Sequence, residues 1–221
     1  MRFLRALAAA FSYFSILPIP HSEEPPSDGA IGLLPIVGAV IGALAGYSAY
    51  GIALLTHSQL AAAITAWVLS IALSGAIHVD GFLDCCDGLL AMAPPEKRLA
   101  IMRDPHHGTY AIVGTAIISV LWLYALAQIP RAMLPAVLAI TGFFARGLTL
   151  AVLRPSKWIP SPVALLIGIV TVVPWLFGLF AKRRLGGVLN GDCYGAAIVV
   201  TEIALLIISA VSTSRGPGLL R

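Results

Sequence analysis

Long apolar runs separated by short polar stretches decide most of what this chain can become. Candidate runs lie at 31–55, 60–79, 110–129, 133–153, 163–181 and 194–214, each near the roughly 20 residues a helix needs to cross a hydrocarbon core. Inside lipid no water satisfies backbone N–H and C=O groups, so such a run spans as a helix whose hydrogen bonds close within itself. Composition agrees: 59% of the 221 residues are hydrophobic and 11% charged, where a soluble domain carries about a quarter charged residues. The expected fold is all-α: a single polytopic membrane domain over 1–221, with about six (five to seven) transmembrane helices.

The N-terminal run from Phe3 to Leu17 is too short to span and is followed by Pro18-Ile19-Pro20. It reads as an interfacial amphipathic helix within a segment 1–29, with an extended loop running to about Gly29. No secretory signal is expected there. Glycines at 38, 42 and 46 have the small-xxx-small spacing that lets membrane helices approach closely, although glycine richness alone would give the same pattern. The net charge is +4, but the basic residues flank apolar runs: Arg2 and Arg5, Lys97 and Arg98, Lys182 to Arg184. That placement favours a cytoplasmic membrane edge over nucleic acid as the partner of these charges. Cys85, Cys86 and Cys193 lack disulfide-framework or zinc spacing.

Two polar stretches, 80–109 and 182–193, interrupt the spans and hold nearly all the residues capable of chemistry. Both are basic, so the positive-inside rule puts both in the cytoplasm. Three candidate spans lie between them, an odd number. Either one of the three is not a full crossing, with 163–181 the weakest because of Pro160, Pro162 and Pro174, or the stretches face opposite sides.

The most informative stretch is His78-Val-Asp-Gly-Phe-Leu-Asp-Cys-Cys-Asp-Gly88. Asp80, Asp84 and Asp87 fall at i, i+4 and i+7, on one helix face. Three carboxylates there repel unless a cation sits among them, and hard oxygen ligands select Mg²⁺ or Mn²⁺. Mg²⁺ commonly shares its coordination with substrate phosphates, so a phosphate or pyrophosphate substrate is expected. Gly81 and Gly88 would let a ligand approach the backbone. His78 is a candidate general base or hydrogen-bond partner, with interfacial packing as the alternative. In Met102-Arg-Asp-Pro-His-His-Gly-Thr-Tyr110, Asp104 is a further candidate ligand. Arg103, His106 and His107 could meet phosphate oxygens or simply anchor the membrane edge. Gly186 and Gly187 beside Lys182 to Arg184 suit a phosphate cradle, with Asp192 and Glu202 close behind. Arg146, inside an apolar run, is expected to be functional or paired, since an unpaired guanidinium at membrane depth is costly.

In order, His78-x-Asp-Gly-x-x-Asp-x-x-Asp-Gly88, Met-Arg-Asp at 102–104 with Gly108, and Leu-Gly-Gly at 185–187 with Gly191-Asp192 and Glu202 resemble the cobalamin synthase family (adenosylcobinamide-GDP ribazoletransferase). Leu17-Pro-Ile-Pro20 and Ala145-Arg-Gly147 resemble two further elements of that family. The resemblance implies a Mg²⁺-dependent enzyme of a bacterial or archaeal cytoplasmic membrane. It would join adenosylcobinamide-GDP to α-ribazole, or to its 5′-phosphate, with release of GMP. It implies a metal held by Asp80, Asp84 and Asp87, catalytic roles for His78 and Asp104, and substrate contacts from Arg103, His106, Arg146, Gly186, Gly187, Asp192 and Glu202. The lipid bilayer, a homo-oligomer or other enzymes of B12 assembly are the remaining partners it allows. The chain departs from the family at Ile16, at Pro105-His106 and at Val199, and it is about one helix short between Arg146 and Lys182. Two other readings are a membrane phosphotransferase of the CDP-alcohol type and a divalent-cation transporter. The first lacks its second aspartate half here. The second predicts ionisable residues spread through several spans rather than gathered in two stretches.

Overall fold

A computed structural model describes residues 2–19, 26–153 and 169–214, and among these no strand occurs. The helices are α1 (Arg2–Phe14), α2 (Asp28–Gly32), α3 (Leu34–Thr56), α4 (Gln59–Leu73), α5 (Ile77–Leu90), α6 (Pro95–Ile101), α7 (Thr109–Gln128), α8 (Leu134–Leu153), α9 (Ile169–Arg184) and α10 (Gly191–Ser214). Four segments are long and apolar enough to cross a membrane: Leu34–Thr56, Thr109–Gln128, Arg131–Leu153 and Gly191–Thr213, or five if α4 and α5 count as one broken span. The chain is thus an all-helical, multi-pass membrane protein, with a short apolar α1 ahead of its spans.

Two departures from the hydropathy pattern stand out. The run 60–79 is not one helix: Gly75 and Ala76 take φ of +62° and +59° between α4 and α5. A left-handed alanine costs of order 1 kcal/mol, and hydropathy cannot register it because both residues are apolar. The expected run 163–181 falls partly outside the described residues. Its described part, α9, contains Pro174 and is not among the candidate spans. Near the N-terminus, Ser27 Oγ caps the short α2 by accepting from Ala30 N, inside what the sequence reads as loop.

The chain divides into two compact units. The first comprises 1–76, 121–147 and 205–221. Its core is rich in small residues: Ala49, Ala53, Ala62, Ala63 and Ala66 are essentially sealed, together with Trp122, Leu126, Ile129, Leu134 and Leu138. The glycine pattern at 38, 42 and 46 is a packing seam. A Cβ on Gly38 would strike the carbonyl of Gly142, one on Gly42 the carbonyl of Leu138, and one on Gly46 would lie 2.5 Å from Pro135 Cα. With no hydrophobic drive between helices in lipid, such close backbone approach supplies the dispersion contact that holds α3 to α8.

The second unit comprises 77–120 and 148–204 and contains both polar stretches. Its core joins Cys85, Leu89 and Met102 to Ala181, Leu185, Cys193 and Ala196. The two stretches meet inside this unit, as the contacts of α5 described next establish.

Candidate active site on the helix Ile77–Leu90

The short helix α5 organises the second unit because successive positions along it are fitted to different neighbours. A Cβ on Gly81 would lie 2.9 Å from Asp192 Cα, so the glycine lets α5 touch the first turn of α10. One turn earlier, a Cβ on Gly195 would lie 3.3 Å from the backbone of His78. Two turns further along α5 from Gly81, a Cβ on Gly88 would strike Met102 and sit 3.1 Å from Arg98 O, which seats α6. The space beside Gly81 and Gly88 is thus filled by the chain itself, not left open for a ligand.

These contacts bring carboxylates from both polar stretches together. Asp80 is exposed and Asp84 partly exposed on α5, and Asp80, Asp192 and Asp87 all lie within electrostatic reach of Asp84. Asp192, at the start of α10, has Asp80 as its charged neighbour and takes a 2.7 Å hydrogen bond from Asn190 Nδ2. His107 Nδ1 stands 3.8 Å from Asp84 Oδ1. Asp87 differs. It is buried, and its two oxygens accept from Gly108 N at 2.5 Å and Ala111 N at 3.0 Å.

The other expected site residues are distributed more widely. His78 is buried on α5. Asp104 and Arg103 are exposed. Asp104 accepts from His106 N at 2.9 Å and lies 2.8 Å from His106 Nδ1, and these contacts hold its carboxyl below the usual carboxylate range. Gly186 and Gly187, at φ +66° and +94°, end α9. The N–H of Gly187 is spent on Lys182 O at 2.8 Å, so it closes a helix terminus in the manner of a glycine cap. Glu202 is buried on α10 in the second unit. Arg146 is buried in the first unit on α8, and its Nη1 donates to Gly142 O at 3.0 Å beside the glycine seam.

Sequence reasoning missed two arginines. Arg98 donates from Nη1 to Leu89 O at 2.6 Å and from Nε to Ala93 O at 2.6 Å. Arg184 donates from Nε to the same Leu89 O at 2.7 Å and from Nη2 to Ala91 O at 2.9 Å. Two guanidinium groups thereby satisfy the carbonyl of Leu89 in the last turn of α5 and those of Ala91 and Ala93 just past its end. The signal in sequence was present but ambiguous: a basic residue flanking a membrane run reads first as an interfacial anchor.

Among the described residues, no three His, Cys, Asp or Glu side chains converge closely enough to hold a metal ion by themselves. Mg²⁺ does not require that, since it keeps several waters and takes one or two carboxylates plus substrate phosphates. The open oxygens of Asp80 and Asp84, with Asp192 near, are a donor set that fits it.

A multi-pass helical membrane protein that gathers carboxylates beside basic residues fits the class of membrane enzymes that act on phosphorylated substrates. Comparison with known proteins narrows this. A family model described as cobalamin-5-phosphate synthase matches residues 6–161 and 147–210, and the chain belongs to that family. The two matched pieces overlap over 147–161. Similar proteins are the adenosylcobinamide-GDP ribazoletransferases of Deinococcus radiodurans, 33% identical over 91% of this chain and 84% of that protein, and of Ralstonia nicotianae, 29% identical over 95% and 96%. That of Synechococcus elongatus is 28% identical over 91% and 94%. No solved structure matches the chain.

Proposed function

We propose that the chain is a Mg²⁺-dependent adenosylcobinamide-GDP ribazoletransferase, joining adenosylcobinamide-GDP to α-ribazole or its 5′-phosphate with release of GMP. The observation that carries this reading, beside the family match, is the meeting of Asp80 and Asp84 on α5 with Asp192 on α10. A divalent cation bound there would neutralise charge on the substrate pyrophosphate. Asp80 and Asp84 would hold it, and no hydrogen bond occupies either carboxylate among the described residues. Asp192 would orient the cluster from the opposite helix. Arg103 and His106, exposed on the loop before α7, would meet phosphoryl oxygens of the substrate. The 5′-hydroxyl of the ribazole would attack the phosphorus bonded to cobinamide, and GMP would leave. Such a reaction asks the protein mainly for positioning and charge neutralisation.

Lys97, Arg98 and Lys182 to Arg184 flank this unit's membrane segments, which supports a cytoplasmic orientation for the site in a bacterial or archaeal inner membrane. The test incubates purified protein with adenosylcobinamide-GDP, α-ribazole and Mg²⁺ and measures GMP. Release that depends on both substrates and stops with chelator is expected. Its absence, while the Ralstonia nicotianae relative turns over in the same buffer, would sink the assignment.

A further inference from the structure

Asp87 completes the i, i+4, i+7 row, yet its surroundings are unlike those of Asp80 and Asp84. It is 8% exposed, and both oxygens are engaged by backbone N–H groups of Gly108 and Ala111. Gly108 closes the pocket: a Cβ there would lie 2.9 Å from Asp87 Oδ1 and 3.3 Å from its Cγ. The engaged amides belong to the start of α7, where the first N–H groups have no intrahelical acceptor. A carboxylate at that position is favoured both by the hydrogen bonds and by the positive end of the helix dipole. The cap usually comes from a neighbouring residue, but the nearest upstream carboxylate, Asp104, is turned onto His106 N. The cap therefore comes from another helix, 21 residues back in sequence.

We infer that Asp87 is a positioning residue and not a metal ligand: it clamps the first turn of α7 to α5 and so seats His107 beside Asp84. The inference rests on the metal-dependent transferase reading above for its catalytic consequence, though not for the clamp itself. His107 precedes the clamped Gly108 directly, with its ring partly exposed and Nδ1 3.8 Å from Asp84 Oδ1. From there it could hydrogen-bond an oxygen of a phosphoryl group that a divalent cation held by Asp80 and Asp84 would bind. Releasing the clamp would leave those carboxylates in place while letting the 104–108 loop move away from them.

Two variants break the contact from opposite sides. Asp87→Asn turns an amide N–H₂ toward backbone donors. Gly108→Ala keeps every carboxylate and inserts a methyl against Asp87 Oδ1. The full-length protein in detergent is titrated with Mn²⁺ and followed by its EPR signal, alongside kcat and hydrogen exchange of the 108–111 amides. Asp84→Asn is expected to weaken Mn²⁺ binding by about tenfold or more. Asp87→Asn and Gly108→Ala should leave Mn²⁺ affinity near that of the wild type. They should lower kcat by roughly 10- to 100-fold, as misplacement of a contacting group does, and should accelerate exchange at 108–111. Loss of Mn²⁺ binding in a folded Asp87→Asn protein would make Asp87 a ligand and overturn the inference. So would a Gly108→Ala protein with wild-type kcat and exchange, which also decides the matter if Asp87→Asn does not fold. Unchanged Mn²⁺ binding in Asp84→Asn would instead count against the metal reading, and the exchange data would still judge the clamp.

Discussion

The glycines of the α3–α8 seam and those of the second unit are one residue type solving two different problems. Gly38, Gly42 and Gly46 repeat every fourth residue, and all three press the same partner helix. Gly81, Gly88 and Gly108 follow no single period, and each meets a different element: Asp192, Met102 and Asp87. In the first unit, small residues supply close van der Waals contact that lipid-exposed helices cannot gain from the hydrophobic effect. In the second they bring residues distant in sequence up against one charged helix. A regular small-residue period therefore marks scaffold, whereas irregular glycines around acidic residues mark assembly of a site.

That contrast is open to direct attack. The largest expected effect is on turnover: Asp84→Asn should lower GMP release by roughly a thousandfold, the order expected when several kcal/mol of charge stabilisation is lost, with folded yield unchanged. If instead yield collapses and the surviving protein is active, Asp84 belongs with the scaffold. Next, Gly42→Ala should destabilise the bundle by about 1–3 kcal/mol through overpacking against the Leu138 carbonyl. Thermal unfolding in detergent reads this, and GMP release per folded molecule should stay near that of the parent. A specific loss of kcat there would erase the division between seam and site.

Arg184→Ala strips donors from Leu89 O and Ala91 O. A cost of about 1–3 kcal/mol in stability is expected, typical of hydrogen bonds to charged groups, with Arg184→Lys recovering only part of it because one ammonium cannot reproduce the fork. Full recovery by lysine would reduce the arginine to a generic cation. The smallest effect concerns Asp104. Because His106 lowers its pKa, the contact's stabilisation is present above the ordinary carboxylate range and fades as pH falls through the lowered value. His106→Ala should return the Asp104 titration, followed by carboxyl carbon NMR, upward toward an ordinary aspartate. An unmoved titration would assign the depression to something else.

Much of the helical layout was legible in sequence. The runs 31–55, 110–129, 133–153 and 194–214 correspond closely to α3, α7, α8 and α10, because burial in lipid is a sum over adjacent residues and needs no knowledge of partners. The run 60–79 failed at Ser74–Ala76, since hydropathy does not encode a left-handed φ. The aspartate row was legible as a period, but the period could not distinguish an open carboxylate from a capping one. Asp84 and Asp87 are three residues apart on one helix; what separates them is that the start of α7 lies in front of Asp87. Gly186 and Gly187 carried a real signal, but it was the need for positive φ at a helix end.

By itself, the sequence determined that the chain is a helical membrane protein, that its ionisable residues gather mainly in two polar stretches, and that three carboxylates line one face of α5. These follow from local sums and local periods. Only the tertiary structure decided that the two stretches meet, that Asp192 joins Asp80 and Asp84, that Arg98 and Arg184 close the end of α5, and that Asp87 serves α7. Those outcomes depend on pairs such as Asp87 with Gly108 and Leu89 with Arg184, separated by 21 and 95 residues. Their contacts exist only once the helices between them have packed.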